Sequence, residues 1–446
     1  MDQHAEARSQ VDSSGDLAES AGGSASLHLA SRLVEHFFRH ESGRLVAILS
    51  RFFGLRHIDW VEDRVQAALS EGLRSWRMRG APRNPSAWVH RVAKNKIRDA
   101  LRRDATLQRV APEVARDRPE TVTPNIDDCF LDSQIEDAQL RMIFACCHPN
   151  LTRENQIAFT LKALGGFSFA EIGRALLLPE ETVKKRIQRA KERLLADEVQ
   201  LETPSRSDLA ARLDAVHQCL YLMFNEGYAA SQGDSLVRQD LCEEAARLCH
   251  LLVSHKATHS TAGEALLALM LFHAARLDAR TDAEGNLLLL EGQDRSSWNS
   301  NLLAEGKRRL DLSARGSTIS RFHLEAGIAW THCEAPSLAE TNWPRILKLY
   351  DMLIAMRDSP VYRLNRAIVV GQMKGPAAAL EGLLPLREVS AFKNYHLVDA
   401  TIGEMHRRLG DYKSAQKSFE RAISACRSLR EREFLHRRIQ ECISQI

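Results

Sequence analysis

Two stretches of this chain place cationic side chains where a helix would gather them on one face. In the run from Glu180 to Leu194, Val183, Ile187, Ala190 and Leu194 recur every three or four positions and form an apolar stripe. The opposite face then shows Thr182, Lys184, Lys185, Arg186, Gln188, Arg189 and Lys191. Such a set suits nucleic acid: an Arg fork binds guanine, a Gln amide binds adenine, and Lys holds phosphate. A solvated basic helix has the same periodicity, so spacing alone leaves both readings open. The second stretch begins with Trp76-Arg77-Met78-Arg79-Gly80-Ala81-Pro82-Arg83-Asn84-Pro85, a basic, kinked loop. A helix from Ser86 to Arg103 follows. It is expected to bury Trp88, Val92 and Leu101 and to show His90, Arg91, Lys94, Asn95, Lys96, Arg98, Asp99 and Arg102. Unpaired bases stack on aromatic rings and Arg planes, so this block could hold melted DNA. The alternative puts the tryptophans in a core, which is the preferred reading for Trp60 and Trp88.

Other residues invite catalysis or metal binding. Asn225-Glu226, Glu243-Glu244, Asp294 and Arg295 are polar groups on helices, but no GxGxxG, GxSxG, GxxxxGK[ST] or HExxH motif accompanies them. Acid–Arg pairs of this kind are more often buried structural networks. Cys146-Cys147-His148 has no second ligand pair nearby, so core packing is expected and no metal or cofactor. No catalytic residue is assigned, and the chain is not expected to be an enzyme.

The elements that must position these residues are helices. Gly165-Gly166 makes a turn before a short amphipathic helix, Phe167 to Leu178. Pro179 opens the next one, where its missing N–H costs nothing, and Glu180 and Glu181 suit the positive helix end. A basic helix after a short turn is the recognition helix of a helix-turn-helix. The chain has 446 residues, 44% of them hydrophobic and 27% charged, so it can build real cores. Only 13 Pro and 23 Gly punctuate it, which argues against an all-β sandwich. The expected fold is all-α. Residues 1–26 read as a disordered N-terminus, 27–103 as a first helical module and 104–135 as a linker with Pro112, Pro119 and Pro124. Residues 136–200 form a second module, 208–310 a helical extension and 320–446 a set of helical repeats. Breaks are expected near 231–235, 281–286, 334–344 and 358–360; 285–290 reads as a short strand or a buried helix.

The formal net charge of +3 conceals the distribution. Residues 45–103 hold 13 basic and 5 acidic side chains; residues 104–138 hold 3 basic and 9 acidic; residues 179–193 hold 6 basic and 3 acidic. Two basic islands flank an acidic strip, a footprint for phosphate in two places. No window reaches 18 apolar residues, so no membrane span is expected. The start Met1-Asp2-Gln3-His4 lacks a secretory pattern. Nine cysteines, with no CxxC pair, fit a reducing cytoplasm.

Two helical DNA modules joined by an acidic linker resemble an RNA polymerase sigma factor of the extracytoplasmic-function type, over about residues 27–200. Val61-Glu62-Asp63-Arg64-Val65-Gln66-Ala67-Ala68-Leu69 is similar to the family's region 2.2, with Arg64 thinning its acidic cluster. Trp88 to Arg103 resembles its W-hydrophobic-x-x-[IV]-A-x-N-x-x-x-D-x-x-R helix, and Glu181 to Lys191 resembles its region 4 helix. The resemblance implies that Asp59, Glu62, Asp63 and Gln66 meet core RNA polymerase, with the β′ clamp and β flap as docking sites. It gives the −10 element to Arg79, Arg83, Asn84, Arg91, Lys94, Asn95, Arg98, Asp99 and Arg102. It gives the −35 element to Thr182, Lys184, Lys185, Arg186, Gln188 and Arg189. Promoter DNA and polymerase are the implied partners, with no covalent catalysis.

Some 240 residues follow where an ordinary factor of this type would end. Ile402-Gly403, His406, Gly410, Tyr412, Ala415, Phe419 and Ala422 have the spacing of one tetratricopeptide repeat. A weaker copy runs through Leu364-Asn365, Ile368, Gly375, Ala379, Leu380 and Leu383. A third helix pair joins Phe322–Thr331 to Trp343–Met356. A generic helical bundle remains the alternative. The extension resembles that of a sigma-factor subgroup with tetratricopeptide-like repeats, which implies regulation of the factor and a protein partner for the repeats. The competing reading of the whole is a helix-turn-helix regulator or interaction scaffold acting without polymerase.

Overall fold

The computed structural model describes residues 37–110, 132–176, 178–228, 235–282, 288–392, 395–426 and 429–446. The segment 1–26 and most of the acidic linker lie outside the described residues. The described residues are all-α, and no strand forms among them. They fall into two compact units: one holds the residues up to 172 together with 180–208, the other 173–179 together with 209–446.

The first unit begins with a helix over 37–53 (α1), followed by α2 (Ile58–Arg79) and α3 (Pro85–Val110). Helix α2 stops because Gly80 adopts φ 77°, a left-handed conformation open to glycine at no steric cost. Its N–H then closes on the Trp76 carbonyl at 2.9 Å. Helix α3 restarts at Pro85, and the Asn84 side chain caps it by accepting from the Ala87 N–H at 3.0 Å. Its buried stripe is Val89, Ala93 and Ile97, each fully buried, and α3 packs on α2, where Val61 and Val65 are buried too. The expected stripe of Trp88, Val92 and Leu101 is only half-buried. The helix also continues to Val110, beyond Arg103.

The chain continues with α4 (Asp132–Cys146), α5 (Arg153–Ala163), α6 (Phe169–Leu176), whose residues from 173 on belong to the other unit, and α7 (Glu180–Ala196). Helix α5 is the centre of this half, burying Ile157, Ala158, Phe159, Thr160 and Leu161. Cys146 and Cys147 are core residues, with the Cys147 thiol 3.8 Å from the Thr160 hydroxyl. Helix α6 starts with a capping box: Glu171 accepts from the Ser168 N–H at 2.7 Å, and Ser168 from the Glu171 N–H at 3.2 Å. Helix α1 packs on the turn between α5 and α6. The Arg39 guanidinium lies 4.6 Å from the Phe167 ring centroid and 3.5 Å from the Glu171 carboxylate.

The second unit comprises α8 (Arg206–Tyr228), α9 (Ser235–Ser254), α10 (Thr261–Ala274), α11 (Ser300–Ser313), α12 (Arg321–Glu334), α13 (Trp343–Met356), α14 (Pro360–Lys374), α15 (Pro376–Leu383), α16 (His396–Arg408), α17 (Tyr412–Ala425) and α18 (Leu429–Ile443). Helix α10 is apolar all round and accordingly sits among α9, α11 and α12. The breaks at 334–344 and 358–360 fall between α12, α13 and α14. Neither reading of 285–290 survives at its described end, where Leu290–Gly292 is a 3₁₀ turn. From α12 onward, apolar clusters join successive helices, and α12 also packs on α10. Leu324, Ile346, Leu353 and Val369 form one, Leu364, Ala379, Leu383 and Ile402 the next, and Ala415, Phe419, Leu435 and Ile439 the last. Such nearest-neighbour packing is the logic of a solenoid. Gly403 shows its steric side: an added Cβ would lie 2.7 Å from the Phe419 ring.

Candidate nucleic-acid interface

The first surface is the outer face of α3 and the loop before it. Burial of Val89, Ala93 and Ile97 turns Arg91, Asn95, Asp99 and Arg102 fully outward, and Lys94 and Arg98 are half-buried beside them. Arg102 lies 3.8 Å from Asp99. His90 and Lys96 are differently employed: His90 bonds the buried Glu41 at 2.7 Å and Lys96 pairs with Glu71 at 2.7 Å. Arg79, at the end of α2, and Arg83, in the loop, are exposed, while Asn84 is spent on capping α3. Just before Arg79, Met78 is 78% exposed. A methionine can wedge between bases, and its place in Trp76-Arg77-Met78-Arg79 was the available signal for it. The tryptophans are half-buried and pack on other aromatic rings. Trp76 packs on Phe38 at 4.9 Å and on Trp88 at 5.5 Å, and Trp60 packs on Phe53 at 5.2 Å. The core reading thus fits in part: each ring packs on other aromatics but keeps partial exposure.

The second surface is α7. Val183, Ile187, Ala190 and Leu194 are buried as expected. Lys185, Gln188 and Arg189 are exposed, and Thr182, Lys184 and Arg186 half-exposed. Lys184 binds both Glu180 and Glu181 at 3.0 Å, bonds that raise its pKa. Gln188 donates to Glu192 at 2.9 Å. Lys185, Arg186 and Arg189 thus form the cationic edge, with Glu180 and Glu181 at the helix start.

Lys191 departs from expectation. It is 7% exposed and belongs to the buried face of α7. Its ammonium bonds Asp59 and lies 3.6 Å from a Glu62 carboxylate oxygen. Burial pushes the Glu62 carboxyl above the usual carboxylate range, and Lys191 and Lys162 offset this only in part. The other Glu62 oxygen is buried with no hydrogen-bond partner. Asp63 points outward, and Gln66 donates to the Ser42 hydroxyl at 3.3 Å. Two of the four residues assigned to a polymerase contact are therefore held by α7.

In the second unit the expected polar set does not converge. Asn225 bonds Tyr221, Glu243 accepts from Gln239 at 3.2 Å, Glu244 binds Arg247, and Asp294 closes a turn on Ser296. Sequence reasoning missed two clusters that do form. Glu325 is half-buried and accepts from Tyr362 at 2.7 Å, beside Tyr221; desolvation pushes its carboxyl upward. Arg276, Arg280 and Arg295 gather around Tyr228 and Trp298.

Comparison with known proteins bears on both units. Residues 37–106 match Sigma-70 region 2, and residues 141–194 match Sigma-70, region 4. Residues 212–314 match a family of unknown function, DUF6596. An uncharacterised protein of Rhizobium meliloti (strain 1021) is 35% identical over 399 residues, covering 89% of this chain and 93% of that protein. No solved structure matches the chain. No described helix is long and apolar enough to cross a membrane.

Proposed function

Because the chain belongs to the sigma-70 factors, as one with a long extension beyond regions 2 and 4, we propose that it binds core RNA polymerase and directs it to promoters through two separate DNA surfaces. A role in promoter recognition follows from the two matched regions. In our reading, α3 and its preceding loop take the −10 element, with Arg79, Arg83, Arg91, Lys94, Asn95, Arg98, Asp99 and Arg102 facing it. Asn84 serves there by capping the helix. Helix α7 takes the −35 element through Thr182, Lys184, Lys185, Arg186, Gln188 and Arg189. The observation that carries this reading is that both helices keep a polar, cation-bearing face exposed after burying their apolar stripes. The work done is positional. Extracting a base from the stack costs a few kcal/mol, which phosphate and stacking contacts on the first surface offset.

Asp59, Glu62, Asp63 and Gln66 remain our candidates for polymerase, with region 2 on the β′ clamp and region 4 on the β flap. Since Lys191 engages Asp59 and Glu62, we read the packed first unit as a closed state that opens when polymerase binds. The ill-paired Glu62 supports this, because a carboxylate buried at a cost in the closed state regains solvent in the open one. The extension, with its repeat-like helix pairs, is proposed to regulate this opening from the cytoplasm through a protein partner. Full-length protein mixed with core polymerase tests the reading. Co-elution at low salt and core-dependent protection of promoter DNA at two spaced sites are expected; DNA binding that ignores polymerase would favour a plain regulator.

A further inference from the structure

The second unit gathers three guanidinium groups at one place, and none of them pairs with a carboxylate of the described residues. Arg276 follows α10, Arg280 lies in the 3₁₀ turn Asp278–Arg280, and Arg295 in the 3₁₀ turn Arg295–Ser297. Arg276 donates to the Tyr228 hydroxyl at 3.0 Å. Arg276 and Arg295 both stack toward the Trp298 ring, at 5.5 and 4.8 Å from its centroid. Arg280 lies 4.1 Å over the Tyr228 ring and donates to that residue's carbonyl. Arg295 donates to the carbonyls of His332 and Ala335 at the end of α12. Those carbonyls explain where Arg280 and Arg295 sit, since a cation at a helix C-terminus is favourable.

They do not account for the remaining donors. Among the described residues, no carboxylate pairs with Arg276, Arg280 or Arg295. Glu334 is taken by Arg345 at 2.8 Å, and Asp294 by Ser296. Five buried nitrogens lack any partner: Arg276 Nε, Arg295 Nη2, His273 Nδ1, His332 Nδ1 and Trp298 Nε1. Arg276 Nε, Arg295 Nη2 and Trp298 Nε1 are donors, and buried donors without acceptors are costly and uncommon in native structures. Burial and the neighbouring cations together push His273 down to about 3 and His332 down to about 4, so both rings are neutral at pH 7. Burial is the larger cause in both, and the nearby guanidinium groups add to it. His332 also lines a cavity of about 300 Å³ with Trp343, Tyr350, Asn365, Arg408 and Glu291, whose carboxylate lies 3.7 Å from Arg408; the volume suits a small ligand.

We propose that this cluster is a binding site for a small phosphate-bearing molecule, its dianionic head on Arg276, Arg280 and Arg295 and its remainder in the adjoining cavity. A single carboxylate would balance one guanidinium and reach few of the idle donors. A tetrahedral dianion offers several acceptor oxygens, which Arg forks match. Nothing in this site depends on the promoter reading.

Inorganic phosphate is the probe, titrated into the full-length protein at constant ionic strength with chloride as control. Saturable calorimetric binding and a rise in melting temperature are expected. Arg276→Gln should weaken phosphate binding at least tenfold, with Arg276→Lys intermediate. In wild-type protein labelled with ¹⁵N-tryptophan, the Trp298 indole N–H should shift with the same midpoint, a readout that survives if the variants fold poorly. Absence of saturable binding, unchanged affinity in Arg276→Gln, or an indole signal indifferent to phosphate would each overturn the proposal.

Discussion

Lys191 sits four residues after Ile187, on the line of the buried stripe, yet its charge suggests the solvent face. The structure sides with position over residue type, because Asp59 and Glu62 supply the partners that make burial of an ammonium tolerable. Removing the cation leaves Glu62 buried beside Asp59. Lys191→Ala should therefore weaken the packing of region 4 on region 2 by about 2 kcal/mol. Energy transfer between dyes on the two regions would report this as a larger open fraction. Glu62 makes the same equilibrium depend on pH. Its carboxyl titrates above its ordinary value of 4.5 in the closed state, so closing takes up a proton. Closure is thus favoured most below 4.5 and weakens as pH climbs through the raised value, with Lys191, Lys162 and Asp59 the charges that face the group. Dye separation measured from pH 4 upward should increase in wild type and lose this dependence in Glu62→Gln.

At the scale of elements, α7 was largely legible: its period of apolar residues located the buried stripe, and only Lys191 was misplaced. Helix α3 was legible in kind and shifted in phase. Its apolar face is wide, and the bulky Trp88 and Val92 drew attention from Val89 and the small Ala93, which pack closest to the core. The arginine cluster was not legible, since Arg276, Arg280 and Arg295 come from two turns brought together only by the tertiary fold. The function of α7 is separable from its packing. Arg186→Ala or Lys185→Ala should cost about 1–3 kcal/mol of −35 binding and leave polymerase binding intact, as gel shift and co-elution would show. In the repeats, Gly403 carries the close approach of α16 to α17. Gly403→Ala should destabilise the second unit by about 1–3 kcal/mol through overpacking against Phe419, read as a lower denaturation midpoint.

For the whole molecule, the near-balanced charge proved to be a sum of opposed regions: basic faces in the first unit, and ion pairs such as Glu264–Arg309 within the second. The matched regions place promoter recognition in the first unit. The second unit adds helices whose apolar clusters follow one another along the chain, a form suited to presenting a partner surface. The central claim is that these parts make a polymerase-dependent promoter factor. In vitro transcription tests it most directly, with full-length protein, core RNA polymerase and a pool of genomic promoter fragments. The account predicts discrete transcripts that require both protein and core and that weaken with Arg186→Ala. Failure to associate with core at low salt, together with no protein-dependent transcript, would contradict it.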